Sequence, residues 1–251
     1  MAFYDLEKSE RKLLAEKIYT NILQDLHKSF SECLFTYFSD EDTYIRKNAY
    51  LAVGKIYKSN TQLQTTVLSI LNTLFELGNE KVRQSTINAA GEIGMIYFES
   101  VDHLMENGLF DSHHSVRNAV IGSIKKMGKK NPKPVMHFAR RFLHHEDKEI
   151  RREICHGIEL RGRTHPEDIL PLLKELQFDK TSRVKNTLIH VLGQISYKQG
   201  CIETVIAHLK TWENQVLVSK AIEEIIDVHH RYRDFAIMTQ QEARDYIQNN
   251  F

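Results

Sequence analysis

The 251-residue sequence has few of the residues that interrupt helices or cross-link chains: four prolines, eleven glycines and three cysteines. So few prolines and glycines exclude a loop-rich β-sandwich and a long flexible linker. The odd number of widely spaced cysteines indicates reduced thiols rather than a disulfide framework. Neither a long apolar run nor the cationic-then-apolar pattern of a signal peptide occurs. We therefore expect a cytoplasmic protein with no membrane partner.

The composition is that of a globular protein, with 41% hydrophobic and 27% charged residues. The net charge is only +1, but it is unevenly distributed. Residues 113–190 contain 17 Lys or Arg against 9 Asp or Glu, a net charge of +8, and eight of the thirteen histidines. Such a cationic middle segment favours a polyanionic partner, although a basic surface can also serve solubility alone.

A repeat organises most of the chain. A β-branched residue, followed in five of six copies by Arg or Lys, recurs after one step of 37 residues and four steps of 34. The six copies begin at Ile45, Val82, Val116, Ile150, Val184 and Val218. Mostly apolar residues follow four and eight positions later, which is one face of an α-helix. Three positions before the branched residue, Asp42, Asn79, Asp147 and Thr181 are good N-cap types.

Each of these helices is followed by a short turn and a shorter apolar helix, and no segment has the alternation typical of a strand. One helix pair cannot bury its apolar stripe alone, so the pattern predicts an all-α solenoid in which pairs stack into a superhelix. We predict one domain, 1–251. Its elements are a lead helix at 7–25, repeats at 26–58, 60–97, 99–130, 132–163, 165–198 and 200–233, and a closing helix at 240–250.

The 34-residue, two-helix unit with Asp-x-x-Val/Ile-Arg at its turn resembles a HEAT repeat, a kind of armadillo-like superhelix, from about residue 30 to 232. This resemblance implies that the second helix of each pair lines a concave surface. A narrower similarity covers 111–220, where DSHHSVRNAVIGSIKKMGKKNP, DKEIRREI and RVKNTLIHVLGQISYKQG follow one another. That segment is similar to the HEAT-like alkylpurine DNA glycosylases of DNA alkylation repair.

The glycosylase resemblance implies a groove arginine at Arg152. It places the catalytic carboxylate at Arg117, or at Asn118 after a one-residue slip, and the groove tryptophans near His113 and at His190. Neither Arg117 nor Asn118 can act as a carboxylate, so the sequence departs from the family where catalysis requires it. We therefore predict no catalytic residue and a non-catalytic binding protein.

One stripe of the second helices, away from their core face, is polar and basic in the third to fifth repeats. Such a stripe suits a phosphate backbone, and its glycines, Gly122 and Gly193, are expected to leave the helix backbone open to a phosphate. The candidate anion-binding residues are Asn118, Lys125, Lys129, Arg152, His156, Arg163, Asn186 and His190. A separate series recurs once per repeat and is interpreted as structural, pairing with acidic residues at neighbouring turns. It comprises Arg46, Arg83, Arg117, Arg151 and Lys185.

The predicted partner is the DNA backbone, contacted through 113–190 without base readout. Two alternatives stay open: a scaffold for an acidic protein partner, and an alkylpurine DNA glycosylase that uses other residues. The adjacent histidine pairs 113–114, 144–145 and 229–230 do not predict a metal site, because neighbours on a helix point about 100° apart. No cofactor motif is present either, so we predict neither a metal nor a small-molecule cofactor.

Overall fold

The second helix of each pair begins where the sequence supplies a cap. The side chains of Asp42, Asn79 and Asp147 each accept a hydrogen bond from a first-turn amide, as the repeat predicts. Thr181 makes no such bond, whereas His113 caps through Nδ1, which accepts from an amide two residues on at 3.4 Å. These caps satisfy amides that have no partner within the helix, and they set where it starts.

The computed structural model describes residues 3–251, whose regular elements are all helices with no β-strand among them, so the predicted all-α fold is confirmed. Contacts among the helices divide the chain into two compact units, one up to Asn131 and the other from Pro132 onward. We describe each unit by itself, and the single domain stays a prediction.

The first unit contains three helix pairs preceded by the lead helix. Its α-helices are α1 (Lys8–His27), α2 (Glu32–Ser39), α3 (Thr43–Ser59), α4 (Gln64–Leu77), α5 (Glu80–Gly94), α6 (Asp102–Leu109) and α7 (His114–Lys130). Short 3-10 turns lie at Phe3–Asp5, Thr61–Leu63 and Phe98–Ser100. The second helices α3, α5 and α7 contact one another in chain order, and α1 packs on α3. Gly128 is buried inside α7, which continues to Lys130.

The second unit repeats this arrangement. Its α-helices are α8 (Pro132–Phe142), α9 (Lys148–Gly157), α10 (Glu159–Gly162), α11 (Pro166–Glu175), α12 (Ser182–Gln194), α13 (Cys201–Leu209), α14 (Gln215–Arg231) and α15 (Gln240–Asn250). The helices α9, α12 and α14 contact one another in chain order, and the closing helix α15 packs on α13 and α14. The second helix of the fourth repeat, predicted as continuous, is interrupted at Ile158 directly after Gly157, a weak helix former. Each unit therefore consists of stacked helix pairs, and the predicted bounds of the repeats stay a prediction.

The predicted core face is buried in most copies. Val82, Val116 and Val184 at the start of the repeat are fully buried, and so are the residues four positions later in the first five copies. Ile222 and Ile226 of the last copy are only half-buried, as is Ile45 of the first. The helical phase read from the sequence is therefore correct, and it weakens at the first and last copies, as expected of terminal repeats.

Four residues of the basic series make hydrogen bonds at the turns between helices, and the structural role of the series stays a prediction. Arg83 donates to Asp111 through Nε at 2.6 Å, and Arg151 donates to Asp179 at the same distance, in each case across to the next turn. Arg46 instead donates to the backbone carbonyl of Asp40 in its own turn. Arg117 likewise donates to the carbonyl of Asp111 at 2.7 Å. These contacts stabilise the turns between helices. Lys185 is different, because it lines one of the cavities described below.

Two second helices of the first unit, α5 and α7, approach each other closely at Gly91. A Cβ atom added there would lie 2.6 Å from Cβ of Ser123 on α7, which no packed pair tolerates. We expect Gly91→Ala to lower the free energy of unfolding by about 1–3 kcal/mol, as overpacked cores do. Gly122→Ala is the matched control, because a Cβ atom at Gly122 meets nothing within 4 Å.

Urea unfolding followed by circular dichroism measures both changes. Gly122→Ala should raise stability by up to about 1 kcal/mol, because alanine favours a helix interior. Equal effects of the two changes would contradict the close approach of α5 and α7.

In the part of the chain that the structure describes, no helix has the length and apolar character that crossing a membrane requires.

Candidate anion-binding site

Helix α12 lies between α9 and α14 in the second unit, and a cavity opens on each side of it. The cavity towards α9 has a volume of about 340 Å³. It is lined by Arg152, His156, Arg183, Asn186, Thr187 and His190. The residues come only from α9 and α12, so the stacking of two repeats creates the cavity.

The cavity towards α14 has a volume of about 190 Å³. It is lined by Ser182, Lys185, Asn186, Ile189, Asn214, Val216, Leu217 and Lys220. Asn186 belongs to both cavities, so they flank the same turn of α12. We call their combined lining the α12 surface. None of its residues is acidic, and four of them are Arg or Lys.

The structure brings together four of the residues predicted from the sequence: Arg152, His156, Asn186 and His190. Arg163 is directed elsewhere. Its guanidinium donates to Glu159 Oε1 at 2.9 Å, and it also hydrogen-bonds Gln194 and Tyr197. The other candidates, Asn118, Lys125 and Lys129, lie on α7 of the first unit. Anion binding by all eight residues stays a prediction.

One acidic residue, Glu149, orients the arginines of the α12 surface. Its carboxylate accepts from Arg152 Nε at 2.9 Å and lies 3.2 Å from Nε of Arg183. Arg152 also contacts Glu153, which is only 2% exposed, at 3.3 Å. Arg183 is 64% exposed. Arg152 is therefore held by two carboxylates, whereas Arg183 presents most of its side chain to solvent.

The histidines of the α12 surface lie beside a buried carboxylate. Glu159 is 2% exposed, and its Oε2 lies 3.1 Å from Nε2 of His156. The rings of His156 and His190 are 6.1 Å apart between centroids. Burial lowers the pKa of His190 below the ordinary value for histidine, and this outweighs the opposite influence of Glu159 and Glu224. His190 is therefore an uncharged hydrogen-bonding group or ligand at neutral pH.

Cys155, next to His156 in sequence, faces the opposite way. It is fully buried, and burial raises the pKa of its thiol well above the usual range. A thiol in this environment stays protonated and is a poor nucleophile.

Two basic residues of the α12 surface escaped the sequence analysis. Arg183 precedes Asn186 by three residues and shares its helix face; extending the stripe by one turn towards the N-terminus would have found it. Lys220 occupies in the sixth copy the position of Asn186 in the fifth, 34 residues earlier. The sequence stripe was followed only to the fifth copy.

One expectation about the stripe is wrong. We expected its glycines to leave the backbone open to a phosphate, but a Cβ atom at Gly193 would lie 2.7 Å from Cγ of Glu224 on α14. Gly193 therefore permits close packing of α12 and α14. Only Gly122 of the first unit has the open surroundings that we expected.

No protein-family model matches the chain, and no curated protein matches it. Solved structures do. A HEAT-like repeat protein from Thermococcus onnurineus NA1 is 16% identical, with 89% of this chain and 98% of that chain covered and a TM-score of 0.41. YibA_ECOLI is 18% identical, with 97% and 89% covered and a TM-score of 0.45. A chain of the Kap95p–RanGDP structure is 14% identical, with a TM-score of 0.46; the match covers 78% of this chain but only 30% of that one. At these identities the similarity concerns the helical fold alone.

Proposed function

We propose that the α12 surface binds the phosphate backbone of nucleic acid without reading bases. The observation that carries this proposal is the lining of its two cavities, which combines Arg, Lys, Asn, Ser and Thr and lacks carboxylates. These are the side chains that contact phosphate oxygens and sugars in protein–DNA complexes. Its only large exposed apolar side chain is Val216, so a peptide held by apolar contacts has little to bind.

The test follows from the exposure of Arg183. Charge reversal in Arg183→Glu removes a cation that is 64% exposed, whereas a change at Arg152 would also uncover Glu153, which is only 2% exposed. We expect about tenfold weaker binding, because hydrogen bonds to charged groups contribute about 1.5–3 kcal/mol. Binding to two duplexes of unrelated sequence should weaken equally, because phosphate contacts carry no sequence information.

Fluorescence anisotropy of the full chain with labelled 20-base-pair duplexes, over a series of salt concentrations, measures these effects. Losing one phosphate contact should reduce the magnitude of the log–log salt slope by about 0.9. Glu149→Gln should have the opposite effect on duplex affinity, because it removes the carboxylate that competes for Arg183. We expect binding to strengthen about threefold, since exposed ion pairs contribute at most about 1 kcal/mol.

Arg140→Glu is the matched control. Arg140 lies on α8 of the same unit, is 61% exposed and pairs with Glu175 at 3.2 Å. It therefore matches Arg183 in exposure and in the length of its ion pair, but it lies outside the α12 surface. Absence of duplex binding by the wild-type protein at low salt would overturn the proposal, as would equal losses in the Arg140 and Arg183 variants. A complex with an acidic protein partner would then favour the scaffold alternative.

A further inference from the structure

The geometry points to a site for a divalent transition-metal ion formed by His156, Glu159 and His190. Each residue offers one ligand atom, and these atoms lie within 4.8 Å of one another. Two imidazoles and one carboxylate are a donor set that zinc uses where it keeps a further coordination position open. The inference goes beyond the proposed function, because the ion needs no phosphate in order to bind.

The repeat itself brings the three ligands together. His156 and His190 are 34 residues apart, so they occupy the same position in consecutive repeats, and the contact between α9 and α12 sets them side by side. Glu159 follows His156 by three residues, just after the interruption at Ile158, and its Oε2 lies 3.1 Å from Nε2 of that histidine. This separation explains why the sequence analysis, which examined adjacent histidines and short motifs, predicted no metal site.

The carboxylate is already held in place for coordination. Arg163 binds Oε1 of Glu159, which leaves Oε2 directed at Nε2 of His156, 3.1 Å away. Ligand atoms around a tetrahedral zinc ion at bond lengths of about 2.0–2.2 Å lie roughly 3.4 Å apart. The His156–Glu159 pair is close to this spacing. Rotation of the His190 side chain, which is 43% exposed, can bring its ligand atom from within 4.8 Å of the other two to a similar distance.

A further carboxylate and an open cavity adjoin the three proposed metal ligands. Glu224, 34 residues after His190, places Oε1 3.7 Å from Nδ1 of that histidine. Ligating histidines commonly face a carboxylate on their second nitrogen, which fixes ring orientation and increases basicity. His156 and His190 also line the 340 Å³ cavity, through which an ion can enter. Imidazole donors favour Zn²⁺, Co²⁺, Ni²⁺ or Cu²⁺ over Mg²⁺ and Ca²⁺.

Calorimetric titration of the chelator-treated full chain with ZnCl₂, in the absence of nucleic acid, tests the inference. We expect one Zn²⁺ per chain, and at least about tenfold weaker binding in His156→Ala and in His190→Ala, since even outer-shell losses commonly cost 10–100-fold. Co²⁺ should bind with the same dependence and show the visible absorption of a four- or five-coordinate ion. MgCl₂ should produce no comparable heat.

His144→Ala is the matched control, because His144 is an exposed histidine that contacts Glu175 at 2.8 Å in the same unit. Its affinity for Zn²⁺ should equal that of the wild type. Glu159→Gln tests the contribution of the carboxylate. Circular dichroism establishes whether each variant is folded. If Glu159→Gln unfolds, the Zn²⁺ affinity of His190→Ala decides whether the site exists. Absence of Zn²⁺ binding at 1:1 stoichiometry, or unchanged affinity in His190→Ala, overturns the site. Arg183→Glu should keep its Zn²⁺, which separates failure of this site from failure of phosphate binding.

Discussion

Replacing Ile154 or Leu188 with alanine is expected to lower the free energy of unfolding by about 2–5 kcal/mol. The two side chains occupy the same repeat position on α9 and α12, and neither has any exposed surface. Each replacement removes buried methyl groups and leaves a cavity that the stacked helices cannot fully close, because they contact neighbours on both sides. The loss should be detectable as a lower urea midpoint with an unchanged slope.

Val216→Ala provides the comparison for these changes. Val216 lies on α14 and is 71% exposed, so its truncation should alter the free energy of unfolding by no more than about 0.5 kcal/mol. Near-neutral behaviour of both Ile154→Ala and Leu188→Ala would show that the assigned helix phase is wrong.

Replacing Asp179 with asparagine should cost roughly 3 kcal/mol, the effect of breaking a buried ion pair while leaving its partner in place. The Asp179 side chain is 5% exposed and accepts from Arg151 at 2.6 Å and from the amide of Thr181 at 2.8 Å. Asparagine keeps the size of the side chain but removes the charge that Arg151 requires. Urea unfolding at neutral pH measures the loss.

The same residue predicts a dependence on pH. Burial alone would raise the pKa of Asp179, but the hydrogen bonds from Arg151 and Thr181 outweigh it and hold this pKa below the ordinary range. The stabilising contribution is therefore complete above the unfolded pKa of about 3.9 and is lost as the pH falls through the lower folded value. Asp179→Asn should show a shallower loss of stability between neutral and acidic pH than the wild type.

The control for Asp179 is Asp227→Asn. Asp227 is 55% exposed and contacts Arg231 one helical turn away at 2.8 Å, so its removal should cost less than about 1 kcal/mol. If Asp179→Asn were no more harmful than Asp227→Asn, the ion pairs at the turns would not stabilise the stacking of repeats.

The helix pairs could be predicted because their signals are local and recur. A cap at Asp147 and core residues at Ile150 and Ile154 are separated by whole helical turns, and the same spacing recurs 34 residues later. The half-burial of Ile222 could not be read in the same way, because the burial of a side chain depends on the neighbouring elements as well as its own helix. Gly193 was misread for the same reason: sequence shows a missing side chain but not the Glu224 side chain packed against it.

The sequence predicts which helix faces form the candidate site, but it does not predict the contacts among the side chains there. Helix phase alone places His156 of α9 and His190 of α12 on the corresponding face of consecutive second helices. It does not reveal that Glu159 is buried between Arg163 and His156, or that Glu149 holds two arginines, because these pairings depend on side-chain conformations and on contacts between repeats. Charge counting over 113–190 also treats each arginine alike, whereas Arg163 is held at a buried carboxylate and Arg183 is 64% exposed.

Because Cys155 is fully buried, the reactivity of its thiol reports local opening of the second unit. Its thiol lies wholly inside the contact between repeats, so an alkylating reagent can reach it only after α9 has moved away from its neighbours. Cys33, in the first unit, is partly accessible without such movement. The rate at which Cys155 is alkylated therefore reports how often the second unit opens, and mass spectrometry of the alkylated peptide can follow those events without a substitution.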